Sequence, residues 1–370
     1  MATVRRRGRI SVAAICGLAV AAFAFGAALG DDPHSQPSSV AGRLTLDQLA
    51  GQRIVVGFGG AAAPAAVRGM VRDGRVAGVI LFADNLPSRA AGRRLVRGLQ
   101  AIPRPPGLRD PLLVAIDQEG GLVKRVGGAP TASARQMGAR GAGFSREQGR
   151  LTARNLRDVD VNVDLAPVLD VARPGGTIAE TDRGFGSTAT RVAETGVAFA
   201  EALQDGGVLA TAKHFPGLGA AKVNTDFAVQ RIGLSKRTLR RIDEAPFRRF
   251  VASGGEMVML STAIYPAFSP QPAAFARPIA TGELRSRLGF EGVSITDALG
   301  AISVQDFGGP ARAGLAAARA GVDLLLVAGH GAAIRAHRAL RHGLRAGSLD
   351  RAEFEASVSR VLRLRHRLAR

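Results

Sequence analysis

Residues 208–214 read VLATAKH. A short run of apolar residues, closed by a lysine and a histidine, is the signature of a strand covered on both faces whose end emerges into a polar site. Working outward, the same design recurs upstream at 54–59 (IVVGFG), 78–83 (GVILFA), 112–117 (LLVAID) and 161–169 (VNVDLAPVL). Downstream it recurs at 256–262 (EMVMLST), 293–298 (VSITDA) and 322–328 (VDLLLVA). Between these runs lie amphipathic segments. Thr190 to Gln204 sets Val192, Val197, Phe199 and Leu203 near one face, and Leu234 to Val251 does so with Leu239, Ile242, Phe247 and Phe250. Ser235 supplies a cap for the second of these. Eight strand–helix alternations predict parallel strands with right-handed crossovers, closed into a (β/α)8 TIM barrel over residues 44–370. The rival, a doubly wound open sheet, wants a Gly-rich phosphate loop, and GFGGAAAPAA at 57–66 lacks the GxGxxG spacing. Leu349 to Leu368 reads as a terminal helix whose positive face lies in solvent.

Composition bounds the function. Of 370 residues, 46% are hydrophobic and 22% charged, which is globular and excludes a disordered or fibrous chain. One cysteine excludes an internal disulfide framework and any multi-cysteine zinc site. The net charge of +20 comes almost wholly from arginine, spread without a block of five or six consecutive basic residues, and there is no Trp and one Tyr. That pattern argues against nucleic acid as a partner and suits loose attraction to anionic envelope polymers.

Arg5, Arg6, Arg7 and Arg9 precede an apolar stretch from Ile10 to Gly30, with small residues at Ala28-Leu29-Gly30. Residues 1–30 therefore read as a signal peptide or a membrane anchor, and residues 31–43 as a flexible tether. Cys16, early in the apolar run, reads as inert. The expected location is outside the cytoplasm, secreted or anchored on the outer face of the cytoplasmic membrane.

In a barrel of this kind chemistry collects at the carboxyl ends of the strands. Those ends hold Asp117-Gln118-Glu119, Asp170, Lys213-His214, Ser261-Thr262, Asp297 and His330. Any single one could be a structural ion pair; ionisable groups on five of eight strand ends point to one convergent polar site. Acids, lysine and histidine around one mouth suit a polyhydroxylated ligand.

IDQEGGLVKRV (116–126), VDLAPVLDV (163–171), RGFG (183–186), ATAKHFPGLG (210–219) and LGFEGVSITDAL (288–299), in this order and spacing, resemble the motif series of glycoside hydrolase family 3. The likeness is greatest to its single-domain bacterial β-N-acetylhexosaminidase branch and covers about residues 44–330. It implies a (β/α)8 barrel that hydrolyses terminal β-linked sugars with retention, through a covalent glycosyl-enzyme intermediate. By the resemblance, Asp297 falls on the nucleophile. Asp117, Arg125, Arg183, Lys213 and His214 fall on residues that hold the sugar, and Asp170 on a supporting carboxylate. Thr296 and the local backbone are expected to hydrogen-bond Asp297.

The departures from the family pattern concern the acid/base. The resembled branch carries an Asp-Ser-His triplet on the loop after strand 5; here Asn224-Thr225-Asp226 occupies it, Leu218 replaces the histidine of PGHG, and Thr262 replaces a histidine after strand 6. Asp226 is the expected acid/base, oriented by Asn224, with burial near Phe227 and Val223 raising its pKa. Two alternatives stay open: His330 as substitute, or a glycan-binding envelope protein that has lost hydrolysis. A β-glucosidase is the third reading, set against the second domain such enzymes carry. His34, His337, His342 and His366 read as surface residues. No metal, nucleotide or redox cofactor is implied. The expected partner is an oligosaccharide or amino sugar from peptidoglycan or chitin, acted on by a monomer.

Overall fold

The computed structural model describes residues 37–305 and 307–369. The expected leader (1–30, with Cys16), His34 and the start of the expected tether lie outside the described residues. From Pro37 onward the tether expectation is overturned. Pro37–Arg43 is a helix, Ala41 is fully buried, and Leu44 joins the core, so this stretch packs against the domain. Among the described residues no helix is long and apolar enough to cross a membrane.

Eight strands form one parallel sheet: β1 (Ile54–Gly57), β2 (Gly78–Ile80), β3 (Leu113–Ile116), β4 (Val163–Asp164), β5 (Leu209–Phe215), β6 (Met257–Leu260), β7 (Val293–Thr296) and β8 (Leu325–Val327). They pair in the order β8-β1-β2-β3-β4-β5-β6-β7. A parallel bridge between Ile295 and Leu324, with the Thr296 N–H donating to the Leu324 carbonyl at 2.9 Å, joins the two ends. The barrel expected from the eight alternations is thus present.

Strand alternation explains the two-layered core. Leu113 and Ala115 point inward with Val55, Ile80, Val163, Leu209, Met257, Met259, Val293, Ile295 and Leu326. Val114 and Ile116 point outward, packing with Ile54, Val56, Val258 and Leu260 under the helices. β4 is shorter than its apolar run: regular pairing to β5 stops at Asp164, although the Thr211 and Lys213 N–H groups still donate to the Ala166 and Pro167 carbonyls and Val168 bridges to Lys213. The second amphipathic segment starts on Ser235, whose hydroxyl accepts the Thr238 N–H, and passes through a π-helical turn over Leu239–Asp243 before Ala245–Ala252.

The last helix, Arg351–Arg367, contributes Val361 and Leu364 to the inner core. Arg351, Arg363 and Arg367 lie in solvent as expected of its basic face, but two of its arginines do not. Arg365 is fully buried, donating to the carbonyls of Pro111, Leu108 and Asp110 and to Gln52, while Arg360 pairs with buried Asp323. These partners precede β1, β3 and β8, so the helix seals the amino-terminal end of the barrel. His337 is likewise buried rather than superficial, its Nε2 2.8 Å from the Asp47 carbonyl.

Candidate active site

The carboxyl ends of β3 and β5 build a charged floor. Lys213 Nζ lies 2.8 Å from Asp117 Oδ1 and 2.7 Å from Glu119 Oε1. Arg183 grips Glu119 with two parallel hydrogen bonds of 2.8 Å, a bidentate geometry that fixes both planes. Arg125 approaches Asp117 at 3.7 Å. The result is an alternating chain of charges, Arg125–Asp117–Lys213–Glu119–Arg183. Glu119 and Lys213 are almost inaccessible, whereas Asp117, Arg125 and Arg183 keep some surface toward the mouth. Burial alone would raise the Glu119 pKa, but Arg183 and Lys213 override it and hold the carboxylate well below its usual range. Burial would likewise lower the Lys213 pKa, and Asp117 and Glu119 override it, so this lysine stays charged.

Local sequence sets this floor. After Asp117 the chain makes a small hairpin, Gln118–Gly120 paired with Val123–Lys124. Gln118 is buried and ties the hairpin shut, donating to the Val126 and Ala129 carbonyls and accepting the Arg125 and Val126 N–H groups. The helix Ala134–Arg140 presses on the RGFG segment at Gly138, where a Cβ would overlap the Phe185 carbonyl; that contact positions Arg183.

His214 is held from below. Its Nδ1 lies 2.7 Å from Asp170 Oδ2, while the His214 and Leu218 N–H groups both donate to Asp170 Oδ1, at 3.1 and 2.6 Å. Asp170, fully buried, therefore fixes the imidazole through Nδ1 and leaves Nε2 free of this contact. This matches the supporting part expected of Asp170. Leu218 packs in the core, and Thr262 accepts the Ser303 hydroxyl at 3.0 Å.

Asp297 ends β7. Its N–H donates to the Leu260 carbonyl at 3.0 Å and its Oδ1 accepts the Ala298 N–H at 2.8 Å, leaving Oδ2 open. The backbone support expected for this carboxylate is present; the side chain of Thr296 is not part of it, because its hydroxyl accepts the Leu326 N–H from β8.

Asp226 sits on the loop after β5. Its N–H donates to Asn224 Oδ1 at 3.0 Å, and Asn224 Nδ2 donates back to Asp226 Oδ2 at 3.2 Å. The Ile302 N–H, from the loop after β7, donates to the Asp226 carbonyl at 3.1 Å and ties the two loops together. The Asp226 pKa is raised, first by desolvation of its carboxyl and then by the negative charge of Asp297, with His214, Asn224 and Arg183 opposing. Phe227 and Val223, expected to be buried beside it, are instead 69% and 43% exposed. The residue as a whole is also open to solvent, so the direction rests on crowding at the carboxyl and on repulsion from Asp297. His330 is exposed at the start of helix His330–Arg345 and makes no hydrogen bond or ion pair among the described residues.

Two groups escaped the sequence reading as site components. Glu119 stood in the DQE triplet but had no part assigned; its signal was a second acid two residues past Asp117, on the same side of an extended chain. Asp164, in the middle of an apolar run, is fully buried beneath the floor with Oδ1 accepting the Gln118 N–H and Oδ2 unpartnered. Burial raises its pKa well above the ordinary carboxylate value, with the Gln118 N–H and the Lys213 charge opposing.

Residues 45–364 match the glycosyl hydrolase family 3 N-terminal domain. An uncharacterized secreted glycosyl hydrolase of Arthroderma benhamiae is 38% identical over 338 residues, covering 88% of this chain and 95% of that protein. A beta-hexosaminidase of Alkalilimnicola ehrlichii is 32% identical over 298 residues, covering 78% and 83%. The structure of a family 3 β-N-acetylglucosaminidase from a Paenibacillus strain superposes with a TM-score of 0.83 at 34% identity, over 88% of this chain but 63% of that longer one.

Proposed function

The chain belongs to glycosyl hydrolase family 3, and we propose that it is an exo-acting, retaining β-N-acetylhexosaminidase. The observation that carries this reading is the pairing of two unlike carboxyl groups at one mouth. Asp297 is held on a backbone N–H, while Asp226 faces its charge from the neighbouring loop with a raised pKa. A carboxylate held ready to attack, paired with a second carboxyl whose pKa is raised, is the arrangement glycoside hydrolysis with retention requires.

The terminal sugar lies on the charged floor, its hydroxyls meeting Asp117, Arg125, Arg183, Lys213 and His214. Asp297 Oδ2 attacks the anomeric carbon as Asp226 gives its proton to the glycosidic oxygen; the bond to the leaving group breaks and a glycosyl ester forms. Asp226, now a carboxylate, takes a proton from water, whose oxygen attacks the same carbon and releases Asp297. Overall retention follows from the two inversions. Buried Asp170 keeps His214 oriented throughout. N-acetylglucosamine as the sugar, from peptidoglycan or chitin fragments, is supported by the named activities of the Alkalilimnicola and Paenibacillus relatives. Action outside the cytoplasm is supported by the basic-then-apolar residues 5–30 and by the secreted Arthroderma relative.

The test is hydrolysis of aryl N-acetyl-β-glucosaminides of graded leaving-group acidity by the wild type and by Asp226→Ala. Loss of the acid is expected to cost about 10²–10⁴ in rate toward poor leaving groups and far less toward good ones. Uniform loss across the series would remove Asp226 from the role. Binding without any turnover in the wild type would establish instead the glycan-binding reading, which the absence of the family's loop histidine favours.

A further inference from the structure

Among the described residues five large hydrophobic side chains stand exposed: Leu122, Val223, Phe227, Val229 and Ile302. All five occupy loops that leave the carboxyl ends of strands. Leu122 is at the tip of the hairpin after β3, three are on the loop after β5, and Ile302 is on the loop after β7. None decorates the outer helices or the sealed end. Single exposed hydrophobics are ordinary, but confinement of the whole set to the loops at the carboxyl end of the barrel marks a binding surface. Four of the five flank Asp226: Val223, Phe227 and Val229 share its loop, and Ile302 donates its N–H to the Asp226 carbonyl.

Chemistry decides what such a surface meets. A group that protonates the glycosidic oxygen stands on the leaving-group side of the scissile bond. The terminal sugar faces the charged floor of Asp117, Arg125 and Lys213, which reads hydroxyls. The surface beside Asp226 borders whatever is attached to carbon 1. Resting on the function proposed above, we infer that Phe227, supported by Ile302, is an apolar platform for the leaving group and selects leaving groups that present a flat apolar face. Two sources share that chemistry, an aryl ring and the C–H face of a second pyranose. A charged or short alkyl leaving group gains nothing from it. The 69% exposure of Phe227 is what makes it available, since covering about 50–60 Å² of apolar surface is worth roughly tenfold in affinity.

Equilibrium binding of 1-thio-β-N-acetylglucosaminides, which resist hydrolysis, tests this without relying on turnover. The thio-linked group is phenyl, N-acetylglucosaminyl or methyl. The wild type is expected to bind the phenyl compound, the disaccharide or both about tenfold tighter than the methyl compound. Phe227→Ala is expected to bring that ratio to near one, and Ile302→Ala to lower it partway, with methyl-compound affinity unchanged. Whichever of the first two shows the preference identifies the source. Equal affinities in the wild type, an unchanged ratio in both variants, or an equal loss for all three compounds would overturn the platform. So would sedimentation showing that the wild type self-associates through the rim and Phe227→Ala does not. A preference that disappears in Phe227→Ala, in a protein that hydrolyses no glycoside, would refute the proposed hydrolysis while leaving the platform standing.

Discussion

In the proposed mechanism Asp226 has to be a proton donor at a pH where an ordinary aspartate is charged. Desolvation and the neighbouring Asp297 push its pKa upward, while Asn224 Nδ2, donating to Oδ2, pulls it back and fixes its orientation. The sign follows: glycosylation needs the protonated form, so the rate falls as pH rises through this pKa, and a raised value moves the fall upward. Asn224→Ala removes a donor that favours the charged form. Its alkaline limb of kcat/KM is expected at higher pH than in the wild type, with about five- to tenfold lower kcat toward poor leaving groups. A limb that stays in place or moves to lower pH contradicts this part for Asn224. At this scale the sequence was legible where the chemistry leaves a motif. Asp297, Lys213 and His214 each close an apolar run, and the structure gathers them at one end of the barrel. It was less legible where the answer depends on a loop's path: Phe227 and Val223 look like shielding in a sequence and stand in solvent in the structure.

The element that organises the floor is the pair of strand ends β3 and β5, on either side of β4 and bridged by Lys213. Glu119 is its buried counter-charge, paired with Lys213 and with the Arg183 fork. Removing one partner of such a pair leaves charge uncompensated, so Glu119→Gln is expected to cost about 3–5 kcal/mol at neutral pH, measured by chemical denaturation. The folded pKa of Glu119 is depressed. Its contribution is therefore present above the unfolded value of about 4.3 and is lost as pH falls through the folded one. The gap between wild type and variant should narrow on acidification; a constant gap between neutral pH and about pH 3 would contradict the ion-pair account. Hydrophobic periodicity revealed these strands because each is buried on both sides. It could not reveal that β4 shrinks to Val163–Asp164, nor that Glu119 faces Arg183, a contact across distant segments.

Across the whole molecule, the eightfold alternation was readable because both strand faces are covered, and it alone predicts the barrel. The use of arginine was not readable. Composition spreads it evenly, yet Arg365 and Arg53 are buried at the sealed end, where desolvation lowers each pKa to about 10 and still leaves it charged at neutral pH. Arg365 holds the carbonyls of Pro111, Leu108 and Asp110 from the last helix. Arg365→Ala is expected to lower stability by about 2–5 kcal/mol. Because this end lies opposite the mouth, kcat/KM measured below the unfolding transition should stay within about twofold of the wild type; a larger loss would link the two ends. The central claim remains that one carboxylate at the mouth bonds covalently to a sugar. It is tested most directly by inactivating the protein with a fluorinated N-acetylglucosaminyl reagent and locating the adduct by peptide mass spectrometry. One glycosyl group on Asp297, absent in Asp297→Ala, is the expected result; an adduct on any other residue, or inactivation with none, would contradict it.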